Sequence, residues 1–133
     1  MESLTVKACL DTHAVLWSLA DDPRLGAKTR EIIARSNRSE LVISDIVFIE
    51  VAYLHDKGRI ESEDGLDALL AKISDSFLVV PITGEIASIA VSLDLAHGDP
   101  FDRVISATAI THGIPLLTRD RKITVCDTVL TLW

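Results

Sequence analysis

The chain has 133 residues, of which 48% are apolar, 20 are acidic and 13 are basic, giving a formal net charge of −7. This size and composition predict one folded domain over residues 1–133 and exclude a disordered tail. The negative charge excludes nucleic-acid binding through a generally basic surface, because phosphate neutralisation needs cations. It leaves open a site where acidic side chains hold a metal ion and the metal meets the phosphate.

Strand-like apolar runs alternate along the chain with segments of helical periodicity. The predicted strands are residues 4–10, 41–43, 77–80, 116–117 and 129–132. The predicted helices are residues 12–20, 26–36, a segment from Ser44 as cap to near Gly58, 66–73, 86–93, and one that starts at Asp99-Pro100 and ends at Gly113. This alternation predicts an α/β fold, a three-layer α/β/α sandwich with a central, mostly parallel sheet of four to five strands.

Two features bear on where the protein works. Asp45 and Glu50 interrupt the most hydrophobic region, so no apolar run approaches the roughly 20 residues of a membrane span, and residues 1–10 lack a signal peptide's apolar stretch. Cys9 and Cys126 fit neither a zinc spacing nor a disulfide framework, and we expect both to be buried apolar side chains. We therefore expect a soluble, cytoplasmic protein that does not interact with membranes.

Five acidic residues fall where the predicted fold has its ligand-binding edge, beyond the carboxyl ends of the strands. Asp11 directly follows the first strand, and Asp120 lies just past the fourth. Asp99 and Asp102 occupy the first turn of a helix, and a helix begins on the edge where the preceding strand ends. Glu50 lies on the apolar side of the helix after the second strand. The sequence therefore predicts an acidic cluster at this edge.

Each of these acids also has an ordinary structural interpretation. Asp11 and Asp99 are suitable helix caps, and Asp120 is a suitable turn residue, whereas Glu50 needs a partner on its apolar face. Carboxylates within about 5 Å of one another repel by roughly 3 kcal/mol per pair at an effective dielectric constant of 20. Such a set takes up protons or binds a cation. Oxygen ligands alone favour Mg²⁺ or Mn²⁺ over zinc.

Four segments carry a family resemblance in a fixed order along nearly the whole chain: LDTHA at 10–14, Ser44 followed by Glu50, HGDPFDR at 97–103 ahead of ATA at 107–109, and LTRD at 117–120. Together they resemble the PIN domain, and most closely the VapC-like toxins of prokaryotic type II toxin–antitoxin pairs. The resemblance implies an endoribonuclease that depends on Mg²⁺ or Mn²⁺. It also implies a homodimer that a small antitoxin protein inhibits by covering the acidic pocket.

By position, the resemblance puts the family's catalytic, metal-binding acids on Asp11, Glu50, Asp102 and Asp120. Asp99 is an additional candidate metal ligand, which we rank below Asp102. A non-catalytic PIN-like module that binds RNA or a protein is the alternative. Two other acidic α/β families are disfavoured, because residue 13 is not the second acid of a haloacid-dehalogenase-like phosphohydrolase and residues 81–83 lack the aspartate of a response-regulator receiver.

Five polar residues near these acids are candidates for orienting the carboxylates or contacting a phosphate. Thr12 and Thr118 fit either role, although helix capping explains them equally well. His97 directly precedes the acidic segment at the same edge. Arg103 and Arg119 flank key acids and either contact RNA phosphates or are ordinary exposed charges. The few aromatic residues predict no stacking platform for single-stranded RNA.

Overall fold

Five short parallel strands form the centre of the protein, in the order β3-β2-β1-β4-β5. The computed structural model describes residues 8–95 and 99–133. The strands are β1 (Ala8–Leu10), β2 (Leu41–Ser44), β3 (Leu78–Val80), β4 (Leu116–Leu117) and β5 (Thr131–Leu132). Cys9 of β1 aligns with Val42 of β2 on one side and Leu116 of β4 on the other. The predicted parallel sheet is confirmed, although residues 4–7 of the first predicted strand lie outside the described residues.

Helices connect the successive strands, which confirms the three-layer α/β/α sandwich. In the described part of the chain they are α1 (Thr12–Leu19), α2 (Ala27–Ala34), α3 (Ile46–Asp56), α4 (Leu66–Ser76), α5 (Gly84–Ser92), α6 (Pro100–His112) and α7 (Arg121–Thr124). A 3₁₀ turn, Arg38–Glu40, precedes β2. This turn and α7 were not predicted, because elements of three and four residues are too short to show a helical period.

The apolar core lies on and around the three central strands. All residues of β1 and β4 are fully buried, and α6 packs against β1, β2, α3 and α5. Cys9 and Cys126 are buried free thiols, as expected. Burial raises the pKa of the Cys9 thiol to about 12, so it stays protonated and behaves as a small apolar side chain. None of the helices described for this chain combines the length and apolar character that crossing a bilayer requires.

The start and end signals of α6 act as predicted. Asp99 Oδ1 accepts a hydrogen bond from the Phe101 N–H at 2.9 Å, and Pro100 takes the first helical position. Gly113 ends the helix with φ of 65°, a left-handed conformation that favours glycine. At α3 the hydroxyl of Ser44 accepts from the first helical N–H at 3.2 Å. These signals fix where each helix leaves the edge of the sheet.

Candidate metal centre

An open cleft of about 420 Å³ lies at the carboxyl edge of the sheet. All five acids that the sequence analysis singled out line it: Asp11, Glu50, Asp99, Asp102 and Asp120. They come from four different elements, and the shared edge of a parallel α/β sheet is what brings them together. We call these five residues the acidic wall.

Three members of the acidic wall are also helix caps. Asp11 Oδ1 accepts a hydrogen bond from the N–H three residues on at 2.8 Å. Asp99 and Asp120 each use Oδ1 to accept from the N–H two residues on, at 2.9 and 2.8 Å. The structural and ligand interpretations are therefore compatible, since the cap uses Oδ1 and fixes the direction of the carboxylate.

Two buried threonines hold acidic-wall carboxylates in place. The Thr118 hydroxyl donates to Asp11 Oδ2 and accepts from the Asp120 N–H at 3.0 Å, so it bridges the acids that follow β1 and β4. The Thr12 hydroxyl donates to Glu50 Oε1 and so ties α1 to α3. These bonds give Glu50 the partner that its apolar surroundings demand. Groups that orient a metal ligand in this way raise metal affinity.

Burial, aided by neighbouring charges, disfavours the ionised form of three carboxylates of the acidic wall. Burial raises the pKa of Asp11, which is 8% exposed, against hydrogen bonds that lower it. Burial likewise raises the pKa of Glu50. Burial, and then the charges of Asp99 and Asp120, raise the pKa of Asp102 to about 7. An added cation relieves both the desolvation and the repulsion.

The donor set of the acidic wall fits Mg²⁺ or Mn²⁺, because it consists of carboxylate oxygens held by caps and hydroxyls. In residues 8–95 and 99–133, no three carboxylate, imidazole or thiol groups already stand in a complete metal-ligating arrangement. This is compatible with Mg²⁺, which keeps several waters and commonly takes only one or two protein carboxylates together with substrate phosphate. The residues therefore fit such an ion.

Aromatic and basic side chains line the same cleft, and of these the sequence predicted only Arg119, as a candidate phosphate contact. They are His13, Trp17, Arg24, Arg119, Lys122 and Trp133, which we call the cationic wall. The ring centroids of Trp17 and Trp133 lie 5.8 Å apart in an edge-to-face arrangement. The local signals that pointed here were Arg119 beside Asp120 and the one-turn spacing of His13 and Trp17 on α1. The prediction that the aromatic residues form no stacking platform for single-stranded RNA stays a prediction.

Two further predicted contacts have different outcomes. Arg103, proposed as a phosphate contact, does not line the cleft. Its guanidinium donates to the carbonyls of Ala90 and Leu93 at 3.1 and 2.8 Å, where α5 ends. The expectation for Arg103 was therefore wrong, because the carbonyls left open at the end of a helix attract its donors more strongly. His97 lies outside the described residues.

Parallel α/β/α proteins with carboxylates at the carboxyl edge of the sheet form a structural class, and this chain has both features. Within that class, the PIN domain family matches residues 8–127 of this chain. The chain therefore belongs to the PIN domain family.

Known proteins support this assignment along most of the sequence. The chain is 35% identical to Ribonuclease VapC22 of Mycobacterium tuberculosis (strain ATCC 25618 / H37Rv) over 115 residues, which is 86% of this chain and 87% of that protein. The crystal structure of DNA-bound VapBC from Salmonella typhimurium matches with a TM-score of 0.73 and 20% identity, covering 96% of this chain and 98% of that one. VapBC2 from Rickettsia felis, bound to a promoter DNA fragment, matches with a TM-score of 0.68 and 17% identity, covering 94% and 96%. Both structures therefore have the same fold as this chain.

Proposed function

We propose that this protein is an endoribonuclease that hydrolyses RNA phosphodiester bonds with the help of Mg²⁺ or Mn²⁺. The observation that carries the proposal is the convergence of Asp11, Glu50, Asp102 and Asp120 in one cleft of a PIN domain. A ribonuclease with 35% identity over most of the chain supports RNA as the substrate. We also propose that residues 1–133 form a single domain.

In this proposal the four acids hold the metal ion, directly or through its water molecules, with Asp99 as an additional candidate ligand at the cleft's edge. A bound divalent ion would polarise a phosphoryl oxygen and lower the pKa of a water molecule. Thr118 and Thr12 keep the carboxylates of Asp11 and Glu50 pointed into the cleft. The burial that raises the carboxylate pKa values also removes competing water, which strengthens the attraction for a cation.

The proposal extends to the partners of the protein. VapBC assemblies are among the solved structures that share this fold, so we propose a small antitoxin as the cognate inhibitor. We also propose a homodimer and, because the substrate is RNA, a cytoplasmic location. Size-exclusion chromatography with light scattering measures the dimer directly. Co-expression with the product of a short reading frame next to the gene tests the inhibitor.

The proposed activity is tested by incubating the purified protein with defined RNAs, with Mn²⁺ or with EDTA. Asp11→Asn and Asp120→Asn are expected to abolish cleavage and to keep the fold, because asparagine retains the Oδ1 cap. Asp75→Asn removes an exposed acid of α4 outside the cleft and is the matched control. Cleavage that survives EDTA, or that both cleft variants retain, would overturn the proposal.

The second candidate function is a non-catalytic module that binds RNA or a protein. It is favoured by the absence, among the described residues, of a complete ligating group of three side chains. Calorimetry with Mn²⁺ separates the two candidates. Binding that Asp11→Asn weakens supports the nuclease, and no binding in wild type supports the module.

A further inference from the structure

We propose that Arg24 and Arg119, supported by the indole of Trp17, bind a second RNA phosphate beside the one that is cleaved. This inference rests on the proposed nuclease function and names the part of its substrate that the metal centre does not contact. The site lies in the cleft of about 420 Å³. The acidic wall, which we assign to the metal ion, and the cationic wall both line this cleft.

Trp17 is the support of the cationic wall. It is 8% exposed, lies in α1 and packs edge-to-face with Trp133. The guanidinium carbons of Arg24 and Arg119 lie 4.6 and 4.5 Å from its ring centroid. Because a guanidinium stacks well on an indole, the aromatic surface limits the conformations of both arginines before any ligand arrives. Trp17 thus acts as a positioning residue.

Arg24 keeps donors for a ligand although it already has an acidic neighbour. Its Nε and Nη2 donate to the two Asp22 oxygens at 3.0 and 2.8 Å, which uses two of its five N–H groups. The side chain remains 56% exposed. Asp22 and Trp17 therefore fix the guanidinium on two sides, and its remaining donors are available to the cleft.

Phosphate is the ligand chemistry that these groups fit best. Planar guanidiniums bind phosphate oxygens in a bidentate manner, which is why arginine is enriched at phosphate sites. Each nucleotide of an RNA strand brings another phosphate, so a strand with one phosphate at the acidic wall presents its neighbour to the rest of the cleft. The substrate class is therefore a polynucleotide strand with consecutive phosphates.

The test compares Arg24→Gln, Arg119→Gln and the double variant with Arg59→Gln. Arg59 follows the C-terminal end of α3, does not line the cleft, and loses the same charge when substituted. Binding of a fluorescent single-stranded oligouridylate is measured with Mg²⁺ at several salt concentrations in the Asp11→Asn background. The double variant is expected to bind at least tenfold more weakly. Its slope of log K against log salt should be smaller by about 0.7, the value for one phosphate contact on a single strand.

Cleavage kinetics of the otherwise wild-type protein give a second readout. The double variant should raise KM with little change in kcat, while thermal unfolding and an unchanged Mn²⁺ affinity in calorimetry show that the fold and the metal centre are kept. Replacing both arginines by lysine should restore part of the salt slope, because the charge returns without the planar group.

Failure of this inference is distinguishable from failure of the nuclease proposal. If wild type cleaves RNA and the double variant keeps its KM and salt slope, the second phosphate site is overturned and the nuclease stands. If wild type cleaves no RNA but the double variant loses the salt slope, the phosphate site stands without the nuclease. An oligoglutamate peptide that binds as tightly as RNA, and loses as much in the double variant, would overturn RNA in favour of an acidic protein segment.

Discussion

The acidic and cationic walls line one cleft but are built in different ways. Three of the five acids of the acidic wall have a local position, because Asp11, Asp99 and Asp120 cap the helices that begin at the edge of the sheet. The cationic wall joins Trp17 to Trp133, which are 116 positions apart in the sequence. A local cap survives many distant changes, whereas a long-range contact depends on the packing of everything between its partners.

In the cationic wall, the backbone of Trp133 packs closely against the start of α2. The Thr29 N–H of α2 donates to the carbonyl of Trp133 at 3.0 Å. A Cβ on Gly26, just before α2, would lie 2.0 Å from that carbonyl oxygen, so only glycine lets the two segments meet. The position of the Trp133 ring at the cleft therefore depends on Gly26, which does not itself line the cleft.

The largest expected effect removes a metal ligand from the acidic wall. Asp102→Asn should lower the rate of RNA cleavage by about a thousandfold, since several kcal/mol of charge stabilisation are lost and about 4 kcal/mol corresponds to that factor. Asp99→Asn keeps its cap, lies at the exposed edge and should cost about tenfold or less. Single-turnover cleavage with saturating Mn²⁺ measures both. The reverse order would make Asp99 the principal ligand.

The next effect comes from a residue that orients the ligands. Thr118→Val removes the hydroxyl that bridges Asp11 and Asp120 and should weaken Mn²⁺ binding by about 10–100-fold in calorimetry. Thr118→Ser should restore it. Thr108→Val removes a buried hydroxyl that donates to a carbonyl within α6, so it should lower stability and leave Mn²⁺ affinity unchanged. If Thr118→Val binds Mn²⁺ as tightly as wild type and Thr118→Ser do, the hydroxyl does not organise the site.

A third change is expected to disturb the cationic wall and to leave the acidic wall unchanged. Gly26→Ala should destabilise the protein by about 1–3 kcal/mol in urea unfolding, because the new methyl group pushes against the Trp133 carbonyl. It should also change tryptophan emission and weaken RNA binding while Mn²⁺ affinity holds. Gly84→Ala is the matched control, since a Cβ there meets nothing within 4 Å. A loss of Mn²⁺ affinity in Gly26→Ala would mean that the walls are not independent.

The last expected effect is a pH dependence of stability in metal-free protein, which leaves both walls chemically intact. The pKa of Asp102 rises from 3.8 to about 7 on folding, so between these values the folded state binds more protons than the unfolded chain. The free energy of unfolding therefore falls as pH increases through this range. The Tm in EDTA should be lower at about pH 8 than at about pH 5, and Mn²⁺ should restore it at pH 8. Asp102→Asn should flatten this dependence, and an unchanged slope in that variant would contradict the assignment.

The local patterns of the sequence were sufficient for most of the fold. Short apolar runs predicted all five strands, and the Asp99-Pro100 start and Gly113 end of α6 were read from residue type alone. The acidic wall followed from the same reasoning, because parallel strands bring the residues after their carboxyl ends to a common edge. Arg103 was misplaced because no pattern shows that the end of α5 lies beside it.

What the sequence by itself determined is the parallel α/β architecture and the gathering of acids at one edge, since strand periodicity and helix caps act over a few residues. Only the tertiary structure decided how the cationic wall is assembled, namely which arginines lie on Trp17 and that Trp133 packs against it. The physical reason is range. Caps and periodicity are set by neighbours in the chain, whereas the contacts of Trp17 with Arg24, Arg119 and Trp133 exist only after the core has packed.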